Sequence, residues 1–562
     1  MLTRRDFLQV ALATTVFTGL PARLSRAAAR QTITQTDLLR FESLGQVTLL
    51  HIADIHAQVV PLYFREPSVN LGVGDARGQP PHVTGKAFLT RFGVPADSAA
   101  AYALTSEDFV GLAKSYGRIG GVDRVATLIN AIRAQRPRNT LFLDGGDTWQ
   151  GSYTSLQYQG ADMVDVMNAL GCDVMTAHWE FTYGEARVLE LKERLEFPFL
   201  AGNVMDTQWE EPVFDAISYF ERGGVKIGVI GQAFPYTPVA NPRYKMPNWS
   251  FGIREDRVRE HVASARKKGA ELVVLLSHNG FDVDRKLAGR VKGIDVILTG
   301  HTHDALPVVV KVGKTLLIAS GSHGKFLSRL DLKVKRGQIT DYRYRLIPVF
   351  SEVITPDPAT AALVKKIRAP HAAQISRVLG RTDTLLYRRG NFNGTFDDLI
   401  CNALMHERDA QIALSPGFRW GATLLPGQEI TVDDVFSQTS ITYPSAYRVE
   451  MTGEQLKLIL EDVADNLFNP DPYYQQGGDM VRVGGMGYRI NIRETIGSRI
   501  SDMTLLKTGQ PIDPKHKYVV SGWASVNEGA EGPPVYDVVT RYIERKKVVS
   551  IEENTAIQIV GA

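Results

Sequence analysis

Seven side chains suited to holding metal ions are spread between residues 54 and 303 of this chain, each just after an apolar run of β-type composition. Asp54 and His56 follow VTLLHIA, and Asp147 ends LFLDGGD. His178 follows DVMTA, His278 follows ELVVLLS, and His301 and His303 follow IDVILTG. Carboxylate oxygens and imidazole nitrogens are donors for divalent cations. Seven donors exceed what one tetrahedral ion accepts. They suit two ions about 3.5–4 Å apart that share a carboxylate and a water, an arrangement that drives hydrolysis.

Donors so far apart in sequence need a scaffold that gathers them. In open α/β sheets, ligands sit in the crevice beyond the carboxyl ends of the strands. From about residue 45 to 345 strand-like runs alternate with helical patterns. VDRVATLINAIRAQ precedes LFLDGGD, and a helical stretch from Asp256 to Lys268 precedes ELVVLLSH. Repeated β-α-β units predict a buried sheet with helices on its faces. One insertion interrupts them, from Pro61 to about Tyr116, rich in Pro, Gly and charge. A loop of that length is functional or a solvated excursion; as a functional one it would wall the site or face a partner.

The pattern changes near Thr355-Pro356-Asp357-Pro358. We read residues 30–355 as an α/β catalytic domain, 356–380 as a helical linker broken at Pro370, and 381–562 as an α+β domain. In the last, TGEQLKLILEDVADNLF is a helix capped by Thr452. GGVDR and RVGGMG lack the spacing of a phosphate loop.

At the amino end, Thr3-Arg4-Arg5-Asp6-Phe7-Leu8, a short apolar stretch from Val10 to Ala22 and Ala27-Ala28-Ala29 form a twin-arginine export signal. Its apolar part is too short to span a bilayer, which takes about 20 residues. The expectation is a periplasmic protein with residues 1–29 removed and no membrane segment. The chain holds 64 Lys and Arg against 61 Asp and Glu. Four Arg and one Asp lie in the signal, which therefore carries the whole excess of three positive charges. A near-neutral remainder argues against nucleic acid as a partner. Cys172 and Cys401 could pair in an oxidising compartment or stay as buried thiols.

The ordered set DxH, GD, HWE, SHNG and GHTH resembles the calcineurin-like metallophosphoesterases, and the HNG spelling with a second domain resembles the 5′-nucleotidase family within them. Longer stretches, among them DIHAQVVPLYFREPSVNLG, AHWEFTYG, SPGFRWG and QQGGDMVRVGG, resemble a narrower group, the SoxB thiosulfohydrolases of bacterial sulfur oxidation. That resemblance implies two manganese ions. It also implies a monomeric enzyme acting on cysteine S-thiosulfonate carried by the SoxYZ protein, with sulfate and a carrier persulfide as products. Donor type alone allows zinc or iron as well. The alternative within the family is a periplasmic nucleotidase or phosphoesterase.

The family order implies that Asp54, His56 and His303 hold one ion, that His178, His278 and His301 hold the other, and that Asp147 bridges them. A water activated by the pair would attack the terminal sulfonate sulfur. Arg419 in SPGFRWG falls where nucleotidases carry a substrate-binding arginine, and a guanidinium suits an oxyanion. Asn279 is expected to help hold the anion. Asp479 and Trp179 are expected beside the site or its channel, Asp144 and Asn203 in supporting roles, and His323 outside the metal set.

One departure is informative. Metallophosphoesterases usually have Gly-Asn-His-Asp/Glu at the third cluster, with the His able to protonate the leaving group. Here the cluster is Ala177-His178-Trp179-Glu180, so Trp179 stands where the acid would be. An alkoxide is basic and gains about 10²–10⁴ in rate from a general acid. A persulfide is far less basic and leaves without one. No sequence around Tyr473, Tyr474 or Tyr488 looks like the aromatic pair that clamps a nucleobase.

Overall fold

The structure is a computed structural model and describes residues 33–561. The export signal lies outside them. Apart from a two-stranded pair, Met205–Asp206 with Trp249–Ser250, the strands of the first domain divide between two sheets rather than one. They are β1 (Val47–Ile52), β2 (Thr140–Asp144), β3 (Val174–Met175), β4 (Ile217–Arg222), β5 (Val225–Gln232), β6 (Leu272–Ser277), β7 (Val296–Thr299), β8 (Val310–Val312), β9 (Thr315–Ala319), β10 (Phe326–Lys335) and β11 (Gln338–Pro348). One sheet runs β11-β10-β1-β2-β3 and the other β8-β9-β7-β6-β5-β4. β1, β2 and β3 are parallel, as are β5, β6, β7 and β9. The chain crosses between sheets after β3 and again between β9 and β10, which the alternation of β and α patterns does not reveal.

Side chains of β6 show how the layers stack, because successive residues face opposite sides of a strand. Leu272, Val274 and Leu276 enter a core shared with Leu141 and Leu143 of the first sheet. Val273 and Leu275 face the other way, onto Val258 and Val262 of the helix Glu255–Lys267 and Leu287 of the helix Phe281–Arg290. The two sheets therefore pack face to face, with helices outside. All five ligand-bearing segments leave carboxyl ends of parallel strands, three from one sheet and two from the other.

Pro358–Arg368 and Ala372–Ile375 are helices joined by a 3-10 turn that contains Pro370. In the second domain the sheet nearest the site runs Tyr447–Thr452, Lys517–Gly522, Ile412–Ser415, Arg482–Gly484. The helix Gly453–Phe468 starts at Thr452, whose hydroxyl accepts from the Gln455 amide in a capping box. Cys172 and Cys401 are buried free thiols. Among the described residues no helix is long and apolar enough to cross a membrane.

The insertion is more ordered than its composition suggests. It carries the helices Gly85–Phe92, Ala99–Leu104 and Phe109–Tyr116. Its Pro- and Gly-rich part, residues 61–84, is a strap that touches both domains. Val69, Leu71 and Val73 pack on the second domain's core, and the Leu71 amide donates to Asn391 at 2.6 Å. From the same strap His82 pairs with Asp282 of the first domain at 2.7 Å.

Candidate metal centre

The seven donors meet. Asp54, His56, Asp147 and His303 form one buried group, and Asp147, His178, His278 and His301 form another. Asp147 belongs to both. One of its oxygens lies 3.1 Å from His278 Nε2 and 3.6 Å from His56 Nε2, and the carboxylate is 3.2 Å from His178 Nδ1. Asp54 reaches His303 Nε2 at 3.4 Å and His278 Nε2 at 3.7 Å. His56 Nε2 and His303 Nε2 face each other at 3.0 Å.

The arrangement fits cations. Asp54 Oδ2 and His301 Nδ1 are buried with no protein hydrogen-bond partner, although buried polar atoms are normally paired. Burial holds the imidazoles of His56, His301 and His303 below their ordinary range and takes His178 to about 4, so they stand neutral, the form that ligates. Burial would lower His278 too, but Asp147 and Asp54 outweigh it and carry it up to about 10. Without a cation a proton on His278 balances Asp147; a cation would take that role. Two carboxylates and five imidazoles, with no thiolate, suit a dinuclear hydrolytic site rather than structural zinc.

Backbone geometry shows what the site costs to build. Asp54, His56, Asp147, His301 and His303 have φ between 49° and 75°, the left-handed region that L-residues seldom adopt. Such residues persist only where the surroundings fix them. Glu180 does much of this. Its buried carboxylate accepts from the amides of Thr148 at 2.6 Å, His178 at 2.7 Å, and Asp147 and Trp149 at 3.2 Å, joining the Asp147 loop to the His178 loop. Asp144 accepts from the Gly146 amide and the Thr148 hydroxyl, closing the GGD turn. The Gly145 carbonyl lies 2.6 Å from His278 Nδ1 and orients that ring. Asn203 pins the end of β5 through both the amide and the carbonyl of Ala233.

The next residue, Phe234, stacks on the His301 ring at 4.1 Å and packs on His178. His323 lies behind the donors: its ring packs on Phe64, and its Nε2 accepts from the Gly421 amide of the second domain.

The second domain supplies the rest of the pocket from two neighbouring loops. One follows the strand Ile412–Ser415, and the other leads into its antiparallel partner Arg482–Gly484. The first presents Phe418, Arg419 and Trp420. Phe418 and Trp420 stack at 4.1 Å, and Trp179 meets both edge-on. The second loop places Gly477 against His301, where a Cβ would lie 2.1 Å from Nε2, so only glycine fits. The resulting cavity is about 150 Å³, with the aromatic rings and Val239 as its apolar wall. Apart from the candidate metal ligands, no carboxyl, thiol, lysine or imidazole lines it.

Arg419 lines this cavity. Its Nε donates to Asp479 at 3.3 Å and its Nη1 to the His301 carbonyl at 3.2 Å. Asp479 does not line it; it stands behind Arg419 and also pairs with Arg482 at 2.9 Å, which makes it a positioning residue. Asn279 turns its amide to Asp284 at 2.9 Å, away from the cavity. Tyr488 is buried in the second domain's core, Tyr473 donates to Glu255, and Tyr474 is exposed, so these three form no clamp.

Residues 47–305 match the calcineurin-like phosphoesterase family, and residues 378–540 match the 5′-nucleotidase C-terminal domain. A solved structure from Thermus thermophilus, sulfate thiohydrolase SoxB in complex with glycerol, is 37% identical with a TM-score of 0.90, covering 93% of this chain and 98% of that one. The chain belongs to the 5′-nucleotidase family. Another member, the 5′-nucleotidase precursor of Thermus thermophilus, shares the fold at a TM-score of 0.73 and 22% identity, covering 92% of this chain and all of its own. A curated 5′-nucleotidase of Diplobatis ommata is 26% identical over 498 residues, 76% of this chain and 83% of the relative. A 5′-nucleotidase-family metallohydrolase accounts for both domains and for the two candidate metal groups of the first.

Proposed function

We propose that this protein is a periplasmic thiosulfohydrolase that removes the terminal sulfonate from cysteine S-thiosulfonate on the SoxYZ carrier. The observation that carries this reading is Trp179, packed against Phe418 and Trp420 where the family's proton donor would stand. The resemblance to SoxB over almost the whole chain supports it.

Asp54, His56 and His303 would hold one divalent cation, and His178, His278 and His301 the other, with Asp147 between them. Manganese is the proposed metal. Bound there, such a pair supplies Lewis acidity toward anionic oxygens and makes a water nucleophilic at neutral pH. This chain's own residues do the rest. Asp147 and Asp54 gather positive charge in a buried site. Arg419, preset by Asp479, offers guanidinium protons to a sulfonate oxygen. The aromatic wall excludes bulk water and receives the apolar stem of the substrate.

In the reaction, a water oxygen bonds the sulfonate sulfur and the S–S bond breaks. The bonding pair passes to the carrier-side sulfur. Sulfate, a persulfide anion and two protons result. No group needs to protonate the leaving sulfur, in keeping with a cavity where the Tyr236 phenol gives its proton to the Tyr473 carbonyl and no carboxyl or imidazole stands apart from the candidate metal ligands. Phe418 and Trp420 are already in contact, so no slot for a nucleobase lies between them.

The test is sulfate release by the manganese-loaded protein given carrier-bound thiosulfonate, with AMP in parallel. Sulfate without phosphate is expected; phosphate without sulfate would sink the proposal. Trp179→His is expected to raise phosphoester hydrolysis by about 10²-fold, the lower end of what a general acid contributes. No change in ester preference would count against the role given to Trp179.

A further inference from the structure

A second cavity, about 60 Å³, lies behind the metal centre and shares a partition with the catalytic pocket: His301, Arg419, Asn466 and Gly477 line both. Its wall carries more polar groups than that of the aromatic pocket. Arg389 Nε and Asn279 Oδ1 belong to side chains more than nine-tenths buried, both on the wall of this chamber, and neither atom has a protein partner. His82 Nδ1 and Asp282 Oδ1, from the same wall, are also unpartnered. Buried polar atoms in such a setting are satisfied by water, and a cavity needs only about 10–15 Å³ on this measure to hold one molecule. This chamber has room for several.

The strap formed by residues 61–84 closes one side, through Asn70, Leu71 and His82, and the helix Phe281–Arg290 closes another.

We infer that this chamber is the route by which water reaches the metal centre and the oxyanion product leaves it. The inference rests on the proposed function. A substrate tethered to a protein enters the aromatic pocket from outside and fills it while it reacts. Hydrolysis still consumes a water and releases a dianion, and neither passes an apolar channel filled by the carrier's arm. The chamber is more polar than the aromatic pocket and adjoins it at His301, Arg419, Asn466 and Gly477. Arg389 and Arg419 offer donors to a passing sulfate. Of the two carboxylates on its wall, Asp304 holds Asn70 at 3.1 Å, and Asp282 holds His82 at 2.7 Å through one oxygen, with Oδ1 left without a protein partner. A wall of mixed sign lets an anion through without trapping it.

Val283→Phe and Leu71→Phe each add bulk to the chamber wall, one from the helix Phe281–Arg290 and one from the strap, at positions that are not metal ligands. Each is made in the full-length, manganese-loaded protein, checked for unchanged metal content and melting temperature, and mixed rapidly with carrier-bound thiosulfonate. Both variants should form the first sulfate at the wild-type rate, with water already in place, and then turn over at least tenfold more slowly. Wild type should show no such burst. Unchanged steady-state turnover in a folded variant, or a first turnover slowed as much as later ones, would overturn the route. A crystal structure of the wild-type holoenzyme gives a check that needs no substrate. It should place ordered water on Arg389 Nε and Asn279 Oδ1, and a dry chamber would overturn the route by itself. If wild type yields no sulfate at all, the functional proposal fails, and the chamber is judged by that structure alone.

Discussion

The two halves of the catalytic pocket are built on different principles. The first domain's half centres on imidazoles and carboxylates set on strand ends, with Trp179, Phe234 and Val239 beside them, and its ligand backbone is forced into unfavourable conformations and fixed by the buried carboxylates of Glu180 and Asp144. The second domain's half is aromatic, with a single guanidinium. That guanidinium is steadied by a chain of alternating buried charges, Arg419–Asp479–Arg482–Asp397–Arg388. One half supplies reactivity and the other chooses what is exposed to it. A family can therefore keep its metal chemistry and change its substrate by rebuilding two loops and one residue after a strand.

Four experiments test that division, in order of expected size. Asp147→Ala strikes the half that supplies reactivity at its shared ligand. Metal content should fall below two equivalents, with activity down by about 10⁴-fold or more, out of the ~10⁶-fold or greater acceleration an enzyme provides. Two tightly held metals in this variant would remove Asp147 as the bridge. Arg419→Ala strikes the other half. It should lower kcat/KM by about 10²–10³-fold, the usual loss for one donor to a developing oxyanion, with both metals retained. A parallel loss of metal would mean that the halves are not separable.

Glu180→Gln asks whether the reactive half depends on the clamp beneath it. A carboxamide has one acceptor oxygen for the four amides Glu180 now serves. Metal affinity should drop by about 10–100-fold, as for other groups that orient ligands. An unchanged affinity, measured by competition with a chelator, would show that the loops hold themselves.

The smallest effect belongs to the strap that joins the halves. Burial opposes protonation of His82, but its hydrogen bond to Asp282 and the charge there outweigh this and raise its pKa. A raised pKa means that the stabilisation is fully present below about 6.5, the unfolded value, and is lost as pH climbs through the folded value. Proteolysis within residues 61–84 should therefore quicken by roughly tenfold on going from acid to alkaline pH, matching about 1.5 kcal/mol for a hydrogen bond to a charged group. His82→Gln should abolish that pH dependence. A profile identical to wild type would exclude the pair as the latch.

The same contrast explains what the sequence reveals. The seven donors are legible because each stands directly after a strand, so strand prediction alone places them at one crevice. The second domain's part is not legible in that way. Gly477 matters because of a 2.1 Å approach to a residue 176 positions earlier, and no local pattern encodes that. Glu180 is visible as the third member of its cluster, yet its role appears only when the Asp147 loop closes over it. Asn279 stands after a strand like the ligands, which makes it look like part of the site. Its amide is instead taken by Asp284, five residues along. The split into two sheets is hidden because hairpins and crossovers give similar runs of apolar residues.

The left-handed backbone at Asp54, His56, Asp147, His301 and His303 also bears on how such a protein changes over generations. Glycine adopts that conformation without steric penalty. At these five positions, loss of a ligand and relief of backbone strain thus lie along the same mutational step. A lineage released from the chemistry would be free to trade these residues for less strained ones. Five ligands held in unfavourable backbone mark where the demands of the site outweigh local conformational preference.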